Sequence, residues 1–174
     1  MLCALCIALS AAVQLVFSGF GADGAVYFSV FICAVCCPVK YGVFCSVLCP
    51  MISMMAAGSP AAVLVPAGIA KCLVFLLISR FLLERVRTGK PLTDLYICLI
   101  PSVCVGQIVG ALISSAIFCR DSRAAILFVF ENLLAAIPEM FFLLAAAPGT
   151  VLLLKSLGIV EEKPLTDRKN EDSV

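Results

Sequence analysis

Three ionisable side chains, Lys71, Glu131 and Glu139, lie inside stretches of sequence that are otherwise apolar. A charged side chain at the centre of a bilayer costs about 2.5–3.5 kcal/mol on insertion scales, so such residues usually face a partner, a ligand or water. Three amides occur in similar surroundings: Gln14, Gln107 and Asn132. These residue types can bind a polar solute or pair with one another, and the sequence therefore predicts binding chemistry within apolar helices.

Catalytic motifs do not accompany these residues. The chain has no histidine, and it has no Gly-rich phosphate loop with its lysine, no HExxH and no GxSxG. The sequence predicts that the protein is not an enzyme and needs no cofactor. Any ATP-driven step would require a separate ATPase subunit.

The composition places the chain in a membrane. Hydrophobic residues make up 63% of the 174 residues and charged residues 13%, and the mean hydropathy is +1.18. A net charge of +1 without histidine argues against a nucleic-acid-binding face or a histidine-based metal site. We predict an all-α integral membrane protein with one transmembrane domain over 1–158, followed by a charged, disordered cytoplasmic tail over 159–174.

Breaks at glycine, proline and charge clusters divide the domain into six predicted spans. They are 2–19, 25–39, 42–57, 61–83, 94–118 and 124–147. The second and third are short and could be tilted or partly re-entrant. Most of the eleven cysteines lie in these apolar runs and are expected to pack as small hydrophobic residues.

Basic residues decide the orientation, because lysine and arginine are retained on the cytoplasmic side. Arg80, Arg85, Arg87 and Lys90 are assigned to the connection between the fourth and fifth spans. Placing that connection inside also places Lys40 and the charged tail inside. Both termini are predicted to be cytoplasmic.

A helical rise of about 1.5 Å per residue then gives the depth of each polar group. Lys71 and Gln107 lie about 15 and 16 Å below the outer helix ends, and Glu131 and Asn132 about 11 to 12 Å. Three spans thus offer polar groups at one level, as a solute pocket in the outer half of the membrane would. Glu139 lies two turns further in, on roughly the face of Glu131. The alternative is an architectural ion pair between Lys71 and either glutamate.

Small residues on the first span predict a docking face. Ala4, Ala8 and Ala12 recur every four residues, with Ala11 alongside. This spacing lets another helix approach closely, although an Ala-rich helix with no such role has the same pattern. Gln14 is interpreted as a further helix-contact residue.

The middle of the chain carries a family resemblance. Its residues are Pro38-Val39-Lys40-Tyr41-Gly42, then Pro50, Ser53, Gly58, Ser59-Pro60 and Pro66. In order and spacing they resemble the signature of substrate-specific S components of energy-coupling factor (ECF) transporters, the vitamin importers of prokaryotes. The Ala-rich first helix resembles that family's AxxxA contact motif, and Asn132 with Pro138 also fits.

The resemblance implies a small subunit of the prokaryotic plasma membrane that binds a vitamin or related micronutrient near its external face. It implies docking, through the first helix, onto a membrane scaffold subunit that carries two cytoplasmic ATPases. The sequence departs from the pattern at Cys37, where many relatives have glycine, and at Lys71, near a position that is often acidic. A buried ammonium would favour an anionic solute such as nicotinate or pantothenate.

Two other classes stay open. A structural or assembly subunit would use the polar residues only to pack helices. A small stand-alone transporter or channel would show an internal repeat or a continuous polar path, and neither is evident. For a binding subunit, the Gly- and Pro-rich loops at 19–24 and 58–60 are expected to gate the pocket.

Overall fold

The computed structural model describes residues 4–5, 7–8, 11–12, 22–57, 62–86, 88–119 and 121–158. All regular structure in these residues is helical, without a strand, which confirms the all-α prediction. The helices are α1 (Ala22–Cys36), α2 (Val39–Ala57), a 3-10 turn (Ala62–Leu64), α3 (Val65–Arg85), α4 (Pro91–Phe118), α5 (Ser122–Ala135) and α6 (Ile137–Ser156).

The predicted first span is described only in part. Six of its residues are helical: Ala4, Leu5, Ile7, Ala8, Ala11 and Ala12. The rest of 2–19, including Gln14, lies outside the described residues, as do the predicted loop at 58–60 and the predicted tail over 159–174. Those predictions stay predictions.

Proline and glycine set several helix limits. Pro38 disfavours helical backbone at Cys37, so α1 ends and α2 begins within three residues. Pro66 lies in the first turn of α3 and Pro91 opens α4, where the missing amide hydrogen is not needed. Gly158 follows α6 with φ of +67°, a left-handed conformation that terminates helices.

α1 is the central helix of the bundle. It packs against α2, α3 and α6, while α3 lies between α2 and α4, and α4 also contacts α5 and α6. Val30 and Phe31 of α1 are fully buried in a core shared with Phe75 of α3 and Leu143 of α6. With 15 residues, α1 is about 22 Å long, and it is enclosed by protein over most of its length.

Most of the cysteines within the described residues are buried. Cys33, Cys45 and Cys98 are completely buried, and the Sγ atoms of Cys45 and Cys49 lie 3.5 Å apart on one face of α2. Their surroundings are those of apolar core side chains. The expectation that the cysteines in apolar runs pack as small hydrophobic residues is confirmed for these positions.

The outer surface of the bundle is apolar. Met55 is 79% exposed, and Ile126 and Phe141 are each 70% exposed. Three helical runs are long and apolar enough to cross a membrane: Ala62–Arg85, Pro91–Phe118 and Ser122–Ser156. α1 and α2 are apolar but shorter, so among the predicted spans that fall in the described ranges, the fourth, fifth and sixth meet the length required.

The sixth predicted span, 124–147, is wrong in its limits. The helix continues to Ser156 and is divided at Ala136 into α5 and α6. Pro138 has no amide hydrogen to donate to the carbonyl of Leu134, which locally weakens the helix, while Ala136 keeps helical backbone angles (φ −78°, ψ −11°). The run of 35 residues is about 52 Å long, more than the roughly 30 Å of a hydrocarbon core.

Candidate substrate-binding site

Lys71 lies on α3 at a close approach of this helix to α4. A Cβ atom at Gly110 would be 2.8 Å from Lys71 Cδ and 3.0 Å from Cγ, so the lysine stem occupies the space that glycine leaves. One turn earlier, a Cβ atom at Gly106 would be 3.4 Å from the Lys71 carbonyl oxygen and 3.3 Å from Phe75 Cβ. The small residues of α4, four apart, thus allow close packing against the backbone and stem of the lysine.

The ammonium of Lys71 lies over an aromatic ring. Its Nζ atom is 4.8 Å from the centroid of the Tyr27 ring, within the range of a cation–π interaction. The Tyr27 ring packs edge-on against Phe75, with centroids 5.1 Å apart and planes at 80°. Tyr27 is 2% exposed, and its hydroxyl has no hydrogen-bond partner in the described structure.

A small cavity adjoins these two residues. Its lining consists of Val26, Tyr27, Pro50, Ser53, Gly68, Lys71 and Cys72. The space open to the centre of a water-sized sphere is about 20 Å³, enough for about one water molecule. Tyr27 and Lys71 lie about 7 and 9 Å from the first residues of their helices and Ser53 about 6 Å from the last residue of α2. The cavity therefore lies toward one end of the bundle.

The other predicted site residues do not line this cavity. Gln107 is buried on α4 between the two glycines that contact α3, and its Nε2 atom has no hydrogen-bond partner among the described residues. Glu139 is half-buried on α6. Glu131 and Asn132 are exposed on α5, where Asn132 Nδ2 donates to the carbonyl oxygen of Phe128 at 2.8 Å. Of the five residues predicted to bind substrate, Lys71 alone lines the cavity.

The predicted docking residues lie on an exposed helical surface. Ala4, Ala8 and Ala12 are all exposed, whereas Ala11 and Ile7 are half-buried and Ile7 packs on the core. The three alanines are thus accessible, as a docking face requires, and their role in docking stays a prediction.

Arg80 corrects the reading of the basic residues. The sequence assigned it to the connection between the fourth and fifth spans, but it is a buried residue of α3, 7% exposed. Its Nη1 atom donates to the carbonyl oxygens of Ala34 at 3.0 Å and Cys37 at 3.3 Å, at the end of α1. Its Nε atom is 3.4 Å from Glu84 Oε1. The guanidinium thus caps the central helix, where a positive charge is favourable.

The sequence did not single out two residues that make buried contacts in the structure, Arg80 at the end of α1 and Tyr27 at the cavity. Arg80 falls inside the predicted span 61–83, so the ionisable-residue argument that selected Lys71 also applies to it. Tyr27 falls inside the predicted span 25–39 and has a hydroxyl that needs a partner when it is buried. Both signals were present in the sequence.

The fold and the apolar surface define a helical membrane protein, with three described helices long enough to cross a bilayer. Comparison with known proteins adds no relative: no family model, no curated protein and no solved structure matches the chain.

Proposed function

We propose that the chain is the substrate-capturing membrane subunit of an importer of the ECF type, with Lys71 in its binding site. The observation that carries the proposal is the cavity: Pro50 and Ser53, two residues of the motif that resembles the S components, line it together with Lys71 and Tyr27. Motif residues and the intramembrane cation thus meet at one place, although α2 and α3 contribute them separately.

The proposed orientation puts the cavity end outside. Lys40, Arg85 and Lys90 lie at the opposite ends of α2, α3 and α4, which are cytoplasmic by the positive-inside rule. Six crossings are proposed, made by the N-terminal helical segment, α1, α2, α3, α4 and the bent α5–α6 run. The short α1 is tolerated as a crossing because protein rather than lipid surrounds it.

Capture of a vitamin-sized solute requires this end of the bundle to open. Ligand pockets are typically about 300–1,000 Å³, whereas the cavity holds about one water molecule. Transport would then depend on a scaffold subunit and two ATPases, because the chain has no phosphate-binding loop of its own. The exposed alanines at positions 4, 8 and 12 would form the surface for the scaffold.

A second candidate is a packing or assembly subunit without a ligand. The tight fit of the lysine stem against Gly110 favours it, because a packed lysine can serve helix association alone.

Ligand-dependent stabilisation separates the two candidates. The purified protein is heated in detergent with each member of a vitamin panel, and the unfolding temperature is recorded. A ligand at 100 times its Kd stabilises the folded state by about 2.7 kcal/mol. If the chain is an importer subunit, a vitamin should stabilise wild type but not Lys71→Met. Lys40→Met is the matched control, because it removes an exposed lysine outside the cavity. Absence of stabilisation by every vitamin would favour the packing subunit.

A further inference from the structure

We infer that the end of the bundle where α3 connects to α4 binds the headgroup of an anionic phospholipid, with Arg85 and Lys90 as the residues that contact its phosphate. The partner is a lipid of net negative charge in the membrane around the protein. The inference goes beyond the proposed function and does not depend on it, because it requires only that α3 crosses a bilayer.

Arg85 lies at the end of an exposed apolar stripe on α3. Leu77, Phe81 and Arg85 follow one another at intervals of four residues, so they lie along roughly one side of the helix. Leu77 is 55% exposed and Phe81 is 52% exposed, and both belong to a helical run that is long and apolar enough to cross a membrane. An acyl chain can therefore lie along this stripe, and its headgroup then meets Arg85.

The guanidinium of Arg85 is held beside the stripe. Its Cζ atom is 4.4 Å from the centroid of the Phe81 ring, within the range of a cation–π interaction. Phe81 precedes Arg85 by one helical turn, about 6 Å nearer the middle of the helix. The side chain thus turns back toward the membrane, where a guanidinium can donate two parallel hydrogen bonds to a phosphate.

Lys90 adds a second positive charge at the same end. It is exposed and directly precedes the first residue of α4. Thr88 anchors the connection between the two bases, because its backbone N–H donates to Asp94 Oδ1 at 2.9 Å and its hydroxyl donates to the same oxygen. Arg85 and Lys90 therefore flank a connection that is fixed to the first turn of α4.

The two acids of this connection each have another partner. Glu84 Oε1 lies 3.4 Å from Arg80 Nε, and Asp94 accepts the hydrogen bonds of Thr88. Among the residues that the structure describes, Arg85 and Lys90 form no ion pair. Their exposed charge favours an anion as the partner.

The apolar stripe distinguishes a lipid from a free anion. Inorganic phosphate would contact the two bases but would leave Leu77 and Phe81 uncovered. A phospholipid covers both features, because its phosphate is joined to acyl chains. The adjacency of apolar side chains and exposed bases on one spanning helix therefore favours an anionic lipid.

Native mass spectrometry of the full-length protein in detergent tests the inference. The protein is titrated with an equimolar mixture of phosphatidylglycerol and phosphatidylcholine that have the same acyl chains, so the two lipids differ in the net charge of the headgroup. We expect wild type to retain phosphatidylglycerol preferentially. A basic residue near an anionic lipid surface contributes about fivefold to binding, so Arg85→Gln should weaken retention about fivefold and the double variant with Lys90→Gln at least about tenfold.

Arg123→Gln is the matched control, because it removes an exposed arginine in the first turn of α5, beyond the opposite end of α4. Equal retention of the two lipids by wild type, or equal effects of Arg85→Gln and Arg123→Gln, would overturn the inference. Displacement of the retained lipid by inorganic phosphate at the same concentration would also overturn it, because the occupant would then be a free anion. Should a variant not fold, the preference of wild type between the two lipids decides the question.

Discussion

Replacing Gly110 by alanine tests whether α3 and α4 pack as tightly as their geometry indicates. The new Cβ atom would lie 2.8, 3.0 and 3.2 Å from Lys71 Cδ, Cγ and Cβ, whereas carbon atoms normally approach to about 3.5–4.0 Å. The end of the lysine can rotate away, but its Cβ atom moves only with the α3 backbone. Overpacking of this kind typically costs about 1–3 kcal/mol.

Gly149→Ala is the matched control. Gly149 is a helical glycine of α6 whose added Cβ atom would meet nothing within 4 Å. Both variants gain the helix propensity of alanine, about 0.8–1.0 kcal/mol in water, so their difference isolates the packing effect. Gly149→Ala should be more stable than Gly110→Ala by about 1–3 kcal/mol.

The assay is the free energy of unfolding, measured by SDS titration in mixed micelles and followed by circular dichroism. Adding Lys71→Ala to Gly110→Ala removes the two closest lysine atoms, so the paired variant should show a favourable coupling of at least about 0.5 kcal/mol. Equal stabilities of the Gly110→Ala and Gly149→Ala proteins would refute the close approach of α3 and α4 at Lys71.

Three further predictions concern other contacts of the bundle. Gly42→Ala places a Cβ atom 2.7 Å from Leu76 Cδ1 and should lower the free energy of unfolding by about 1–3 kcal/mol. In a Leu76→Ala background the destabilisation by Gly42→Ala should vanish. An undiminished loss of stability in that double-mutant cycle would contradict the contact. Arg80→Met should lower the free energy of unfolding by about 1.5–3 kcal/mol, because charged hydrogen bonds to the end of α1 are lost. Arg85 is exposed, so Arg85→Met is the control and should change that free energy by less than about 1 kcal/mol. Equal effects of the two substitutions would exclude a capping role for Arg80. If the proposed function is correct, Ala8→Leu should abolish co-purification with the proposed scaffold and ATPase subunits while leaving ligand-dependent stabilisation intact. Loss of both together would count against separate docking and binding faces.

Much of the helical layout could be predicted from the sequence, because proline, glycine and charge mark the ends of long apolar runs. The predicted spans 61–83 and 94–118 correspond to the observed helical runs Ala62–Arg85 and Pro91–Phe118. The observed end of the last helix differs from the predicted end. Pro148 and Gly149 predict that the helix ends at 147, whereas α6 continues through both residues. Membrane helices tolerate these residues, because neighbouring helices, side chains and local backbone adjustments satisfy the freed backbone groups.

The site could be predicted only in part. Lys71 is detectable because a lysine is rare in an apolar run, and the rise per residue gives its distance from the end of its helix. The same reasoning gives the positions of Glu131 and Asn132 along their helix. It does not give the direction in which their side chains face, which depends on how α5 packs. The ring of Tyr27 and the glycines of α4 reach Lys71 through tertiary contacts between helices distant in sequence.

The cap on the central helix has a consequence for the biogenesis of the protein. The carbonyl oxygens of Ala34 and Cys37 accept hydrogen bonds from Arg80, which is synthesised 46 and 43 residues later. Until α3 leaves the ribosome, α1 is a short apolar segment with an uncapped end and few of its final neighbours. The helix that forms the centre of the finished bundle is therefore expected to reach its place late, after the translocon has released the segments that enclose it.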